Sequence, residues 1–174
     1  MHFAVLFFVH YVIIYSNISK KMHKGGMTVY PILIIAAIIA ADQFSKSLAV
    51  ANLMDKASIT VIERFLSFTY VENVGMAFGL FKNQRLFFII STSLIAIVVL
   101  YFIFKMYKKY LFISICLAMI FGGAIGNLID RIRLGYVVDF IHFRFFPPVF
   151  NIADSAVVVG AIALSIAILF TKET

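Results

Sequence analysis

The chain has 174 residues, of which 63% are hydrophobic and 13% charged, with a mean hydropathy of +1.04. Soluble domains carry about 25% charged residues and about 45–50% apolar ones, so a water-soluble core of this size cannot hide so much apolar surface and lipid must solvate much of it. The net charge of +7 does not signal nucleic acid, because no basic stripe with interleaved aromatics stands outside the apolar segments and excess lysine is ordinary in membrane proteins.

The first 26 residues are atypical. Residues 3–15 are apolar, too short a run for a comfortable membrane span, and they lack the basic leader and small-residue cleavage pattern of a signal peptide. Lys20, Lys21 and Lys24 followed by Met27 read as the start of a shorter protein. Residues 1–26 are therefore expected to be a dispensable extension, with translation beginning at Met27 or Met22, and residues 27–174 to form one domain.

Four segments near the ~20 residues needed to cross the hydrocarbon layer follow: residues 29–50, 86–104, 111–129 and 152–170. Unpaired backbone groups are not tolerated in lipid, so each is predicted helical. A long polar insertion at residues 51–85 separates the first two. Its stretch 58–71, rich in β-branched and aromatic residues with partial alternation, predicts strands. The fold class is thus an all-α integral membrane protein of four transmembrane helices with a small extracytoplasmic β-structured insertion between the first and second. Residues 130–151 join the last two spans, and Pro147-Pro148 is expected to stop regular structure just before the final helix. Cys116, the single cysteine, lies in an apolar run and reads as packing.

With four spans, both termini and the turn at residues 105–110 share one side. That side holds Lys20, Lys21, Lys24, Lys105, Lys108, Lys109 and Lys172, against eight Lys or Arg on the other. Density breaks the near-tie and places the lysine-rich turn and both termini in the cytoplasm.

Ionisable groups at the ends of spanning helices are expensive and usually functional. Here they gather at one membrane surface. Asp42 and Lys46 sit four apart near the end of the first span, Asn127, Asp130 and Arg131 end the third, and Asn151 and Asp154 begin the fourth. Simpler readings exist for each: an ion pair for Asp42 and Lys46, a helix cap for Asn151 and Asp154, a solvated loop for Asp139, and close helix packing for Gly122 and Gly126. Of the histidines only His142 falls on this side, which argues against a zinc site. Ser45 and Ser47 are helical neighbours of Lys46 and cannot face it.

Four blocks carry a family resemblance: Asp42-Gln-Phe-Ser-Lys46; Glu72-Asn-Val-Gly-Met-Ala-Phe78; Gly122-Gly-Ala-Ile-Gly-Asn-Leu-Ile-Asp-Arg131 with Gly135-Tyr-Val-Val-Asp-Phe140; and Phe150-Asn-Ile-Ala-Asp154. In this order on a four-span chain they resemble the lipoprotein signal peptidases (signal peptidase II). The resemblance implies that Asp139 and Asp154 are the catalytic pair, that Asn73, Asn127, Arg131 and Asn151 line the site, and that Asp42, Lys46 and Asp130 support it. Gly75, in the same block as Asn73, joins this substrate-binding and support set.

The resemblance further implies a membrane aspartyl endopeptidase of the bacterial cytoplasmic membrane, acting at its outer face on diacylglyceryl-modified prolipoproteins and inhibited by globomycin-like cyclic peptides. No metal or other cofactor and no nucleic acid is expected. Two carboxylates hydrolyse a peptide only if one is ionised and one protonated. Asp154, near a helix N-terminus, is expected to hold the charge and Asp139 the proton. The alternatives are a small channel or transporter with Asp42, Lys46 and Asp130 along a polar path, and a membrane assembly factor packing through its glycine stripe.

Overall fold

The structure, a computed structural model, describes residues 29–75 and 84–170. The expected N-terminal extension and residues Met76 to Phe78 of the second block lie outside the described residues. In chain order the elements are α1 (Val29–Leu53), β1 (Ile59–Ile62), β2 (Leu66–Asn73), α2 (Arg85–Met106), α3 (Leu111–Arg133), β3 (Val137–Phe143), β4 (Val149–Phe150) and α4 (Ile152–Phe170). The four helices are each long and apolar enough to cross a membrane. They coincide with the expected spans, three of them extended by up to one turn.

Helix α3 is central, packing against α1, α2 and α4. Small residues allow this. A Cβ at Gly123 would collide with the backbone oxygen of Ala153 on α4, so any side chain there would push the two helices apart. On the adjoining face Gly122 meets Ile38, and Gly126 meets Asp42, both on α1. The glycine stripe is thus a packing surface, and its outer end touches the polar cluster. Cys116 is buried among Val99, Ile103, Leu117 and Leu164, in keeping with a packing role.

The sheet is larger than the sequence suggests. It has four antiparallel strands in the order β1-β2-β3-β4, and β3 and β4 come from the third connection rather than the first. Pro147-Pro148 lie outside regular structure, as expected, but the two-residue β4 intervenes between them and the final helix. Strand β3 also overturns the reading of Asp139 as a solvated loop residue: Asp139 lies mid-strand and only 2% exposed. The physical reason is that Val137, Val138, Asp139 and Phe140 are all buried. A strand covered on both faces shows no alternation. Val138 and Phe140 pack on Ala49 and Leu53 of α1, which fastens the sheet to the end of the helix bundle.

Candidate active site

The polar site lies where the ends of α1 and α3 meet β3 and the first turn of α4. At its base is Lys46, 3% exposed. Its ammonium has three protons and three acceptors: Asp42 Oδ2 at 2.8 Å, Asp130 Oδ2 at 2.9 Å and Asn127 Oδ1 at 2.9 Å. A buried lysine satisfied in all three directions is held rigidly. The ion-pair reading of Asp42 and Lys46 is therefore correct, and Asp130 completes it as a triad. The two acids tie this base to neighbouring elements. Asp42 Oδ1 accepts the backbone N–H of Ala153 at 2.9 Å, and Asp130 Oδ2 accepts that of Val138 at 3.1 Å.

Three asparagines stand between this base and the two aspartates. An amide flips easily in principle, but each here has one end fixed by an unambiguous donor. Lys46 Nζ fixes Asn127 Oδ1, so Asn127 Nδ2 points to Asp154 Oδ1 at 2.8 Å. The backbone N–H of Asp154 fixes Asn151 Oδ1 at 2.8 Å, so Asn151 Nδ2 faces Asp139 Oδ1 at 2.6 Å. The backbone N–H of Gly75 fixes Asn73 Oδ1 at 3.0 Å, so Asn73 Nδ2 reaches Asp139 Oδ2 at 2.9 Å.

Asn151 also caps α4. The backbone N–H of Asn151 donates in return to Asp154 Oδ2 at 3.3 Å, which completes a reciprocal capping arrangement. Capping and site construction are the same interaction, so the cap reading and the functional reading do not compete. Asn151 touches both carboxyl groups, that of Asp139 with its side chain and that of Asp154 with its backbone.

Asp139 is pushed up to about 7 from the ordinary aspartate range of 3.8. Burial is the main cause and the charge of Asp154 the next. The hydrogen bonds from Asn73 and Asn151 and the charge of Lys46 pull the other way. Arg131 closes the site on the α2 side, its guanidinium 5.0 Å from the ring of Phe88 and its Nη2 donating to Gly75 O at 3.4 Å. That arrangement leaves Gly75 buried between Arg131 and Asn73.

All the site residues expected from the sequence thus fall in one connected cluster, drawn from three helices and two strands. Residues 34–170 match the family model described as signal peptidase (SPase) II. The chain belongs to the signal peptidase II family. It is 54% identical over 139 residues to the lipoprotein signal peptidase of Caldanaerobacter subterraneus subsp. tengcongensis, covering 80% of this chain and 95% of that protein. It is 46% identical over 143 residues to that of Clostridioides difficile, covering 82% and 96%. Among solved structures it is similar to one described as a bacterial membrane enzyme, with a TM-score of 0.78 and 36% identity over 88% of this chain and 98% of that one. A second of the same description gives 0.77 and 37%, over 87% and 100%. As a signal peptidase II family member the chain is a multi-pass bacterial membrane protein, and the four quoted blocks all lie inside the matched span.

Sequence reasoning missed Gln43, inside this polar cluster, and Arg85, beside it. Gln43 Nε2 donates to Asp130 Oδ1 at 2.9 Å and lies 3.2 Å from both Asp42 Oδ2 and Gly126 O, bridging the acids that hold Lys46. Its place inside the first quoted block was the available signal. Arg85, at the start of α2, donates through Nε to Arg131 O and through Nη2 to Ile132 O, each at 2.8 Å. It satisfies carbonyls left open at the end of α3. No sequence pattern announces that contact, because it depends on how the two helices dock.

Proposed function

We propose that this chain is a membrane-embedded aspartyl endopeptidase. It removes signal peptides from diacylglyceryl-modified prolipoproteins by cutting just before the lipidated cysteine. The observation that carries this reading is Asn151 joining Asp139 and Asp154, two carboxyl groups from separate elements, at the end of the bundle that meets the sheet.

Two like charges ~4 Å apart repel by about 4 kcal/mol at an effective dielectric of 20, so a close pair of carboxyls holds one proton near neutral pH. The raised affinity of Asp139 for protons supports its role as the proton donor. Asp154, met by a backbone N–H in the first turn of α4, carries the charge. In the reaction Asp154 takes a proton from water as the water oxygen bonds to the scissile carbonyl carbon. Asp139 gives its proton to the carbonyl oxygen. Collapse of the tetrahedral diol breaks the C–N bond: one hydroxyl returns its proton to Asp139 as the carbonyl re-forms, and the proton on Asp154 passes to the departing amine of the lipidated cysteine. Arg131 and the asparagines hold the substrate backbone, and its acyl chains stay in the bilayer beside the helices.

The site faces outward and both termini are cytoplasmic, a placement supported by Lys105 in the last turn of α2 and Lys108 and Lys109 in the α2–α3 turn, at the far end of the bundle. Globomycin-like cyclic peptides bind at the same two aspartates. The test is signal-peptide release from a diacylglyceryl-modified prolipoprotein by the purified protein in liposomes. Release is expected from the wild type, and is blocked by such a cyclic peptide. Equal cleavage of the unlipidated precursor would remove the substrate assignment, and turnover by Asp139→Asn or Asp154→Asn would remove that residue from the mechanism.

A further inference from the structure

The outer sheet carries an apolar surface that the proposed catalytic chemistry does not use. Strand β1 is exposed along its whole length, with Ile59 at 51%, Val61 at 49% and Ile62 at 51%. Beyond it, the β1–β2 and β3–β4 turns meet in a cluster of phenylalanines. Phe65 lies 5.7 Å from Phe143 and 5.4 Å from Phe145, ring centre to ring centre, and Phe143 lies 6.3 Å from Phe150, on which Phe146 stacks at 5.7 Å. The outermost rings are bare: Phe145 is 68% exposed and Phe65 45%. The backbone N–H of Arg144 donates to Phe65 O at 3.0 Å, which locks the two turns together. Exposed Arg64 and Arg144 precede Phe65 and Phe145 in the chain, and Arg144 Nη2 donates to Thr60 Oγ1 on β1 at 2.7 Å.

Bare phenylalanines bordered by arginines are costly in water and suited to the boundary between headgroups and acyl chains. Position favours the same medium. Phe150 is one residue from Asn151, the cap of α4. Ring contacts of 6.3 and 5.9 Å lead from Phe150 through Phe143 to Phe145. The outermost ring is therefore at most ~12 Å from Phe150, which keeps it close to a polar layer that is about 5–8 Å thick on each side of the hydrocarbon.

We propose that the joined turns around Phe65 and Phe145 dip into the bilayer interface, with Arg64 and Arg144 at the level of the lipid phosphates. Phe143 and Asp139 are four residues apart on β3, about 13 Å along a strand. The dipped tip thereby sets the height of Asp139 above the hydrocarbon.

The chain contains no tryptophan, so Phe145→Trp creates a single fluorophore at the tip. In phospholipid vesicles its emission should be blue-shifted, mostly quenched by lipids brominated near the carbonyl end of the acyl chain, and little affected by aqueous iodide. Phe65→Trp should behave alike and serves if the first variant folds poorly. Water-like emission quenched by iodide would overturn the proposal. So would shielding that appears only when prolipoprotein is added, since the tip would then hold polypeptide rather than lipid. The same quenching is expected in a Phe145→Trp, Asp139→Asn double variant, so the outcome does not depend on the catalytic reading.

Discussion

Asn151 performs two tasks that a pair of substitutions can separate. Its Oδ1 caps α4 through the Asp154 N–H at 2.8 Å, and its Nδ2 donates to Asp139 Oδ1 at 2.6 Å. Asn151→Ala loses both. The cap is worth about 1 kcal/mol, and the hydrogen bond to the carboxylate that Asp139 becomes as it gives up its proton about 1.5–3 kcal/mol. Asn151→Ser keeps a capping oxygen, so it should recover the first share of stability while leaving Asp139 without its shorter donor. In cleavage assays both variants should be slower by about 10- to 100-fold, since each 1.4 kcal/mol lost from the transition state is about tenfold in rate.

The pH dependence sharpens the test. Asp139 titrates at about 7, and the Asn151 hydrogen bond is one of the influences holding it down. Removing that bond moves the value further up. Asp139 acts while protonated, so activity fades as pH rises through its titration, and in Asn151→Ser that alkaline limb should shift to higher pH. Profiles of kcat/KM between pH 5 and 9 on a diacylglyceryl-modified precursor would show it. A Ser variant with full rate, or one whose alkaline limb moves downward, would refute the assignment of Asp139 as proton donor and of Asn151 as its support.

Other expectations follow from the same contacts. Asp139→Asn and Asp154→Asn should each lower cleavage by at least about 100-fold, the lower range for a lost general acid or base, while circular dichroism still reports an inserted helical protein. In the wild type, cleavage should decline above about pH 7 as Asp139 ionises, with the pair titrating as a unit. Lys46→Met leaves Asp42 and Asp130 buried without their shared cation. A loss of about 3–5 kcal/mol is expected, visible as a lower thermal midpoint in detergent and partly relieved by neutralising Asp42 or Asp130 as well. Gly123→Ala sets a methyl against the Ala153 carbonyl and should cost about 1–3 kcal/mol by forcing α3 and α4 apart.

The spans were legible because lipid imposes one requirement on every residue, and residues 152–170 were delimited to the residue. The clustering of Asp42, Lys46, Asn127, Asp130, Arg131, Asn151 and Asp154 was legible for a related reason: charges near a membrane are too costly to scatter. Strand β3 was not, since burial of consecutive residues on both faces erased its alternation. Asp139 consequently looked like a loop residue on pattern alone, and only the family resemblance singled it out. Gln43 was hidden differently. A glutamine beside an aspartate on a helix has an ordinary solvent-facing reading, and its bridge to Asp130 exists only after α1 and α3 dock.

The choice of asparagine at positions 73, 127 and 151 follows from the direction of the hydrogen bonds. Each site needs a side chain that accepts from a fixed donor (Gly75 N–H, Lys46 or Asp154 N–H) and donates to a carboxylate on its other side. An aspartate could accept but would then face Asp139 or Asp154 with a second negative charge. A serine has one hydrogen to give and too short a reach to touch both partners. Only an amide of this length serves, and the donor behind it removes the freedom to flip. The orientation of the carboxylates therefore derives from Lys46 and two backbone N–H groups, none of which needs to touch substrate. Losing Lys46 should on this account disorder Asp154 through Asn127, so a Lys46→Met protein that remains folded should lose catalytic rate more than substrate affinity.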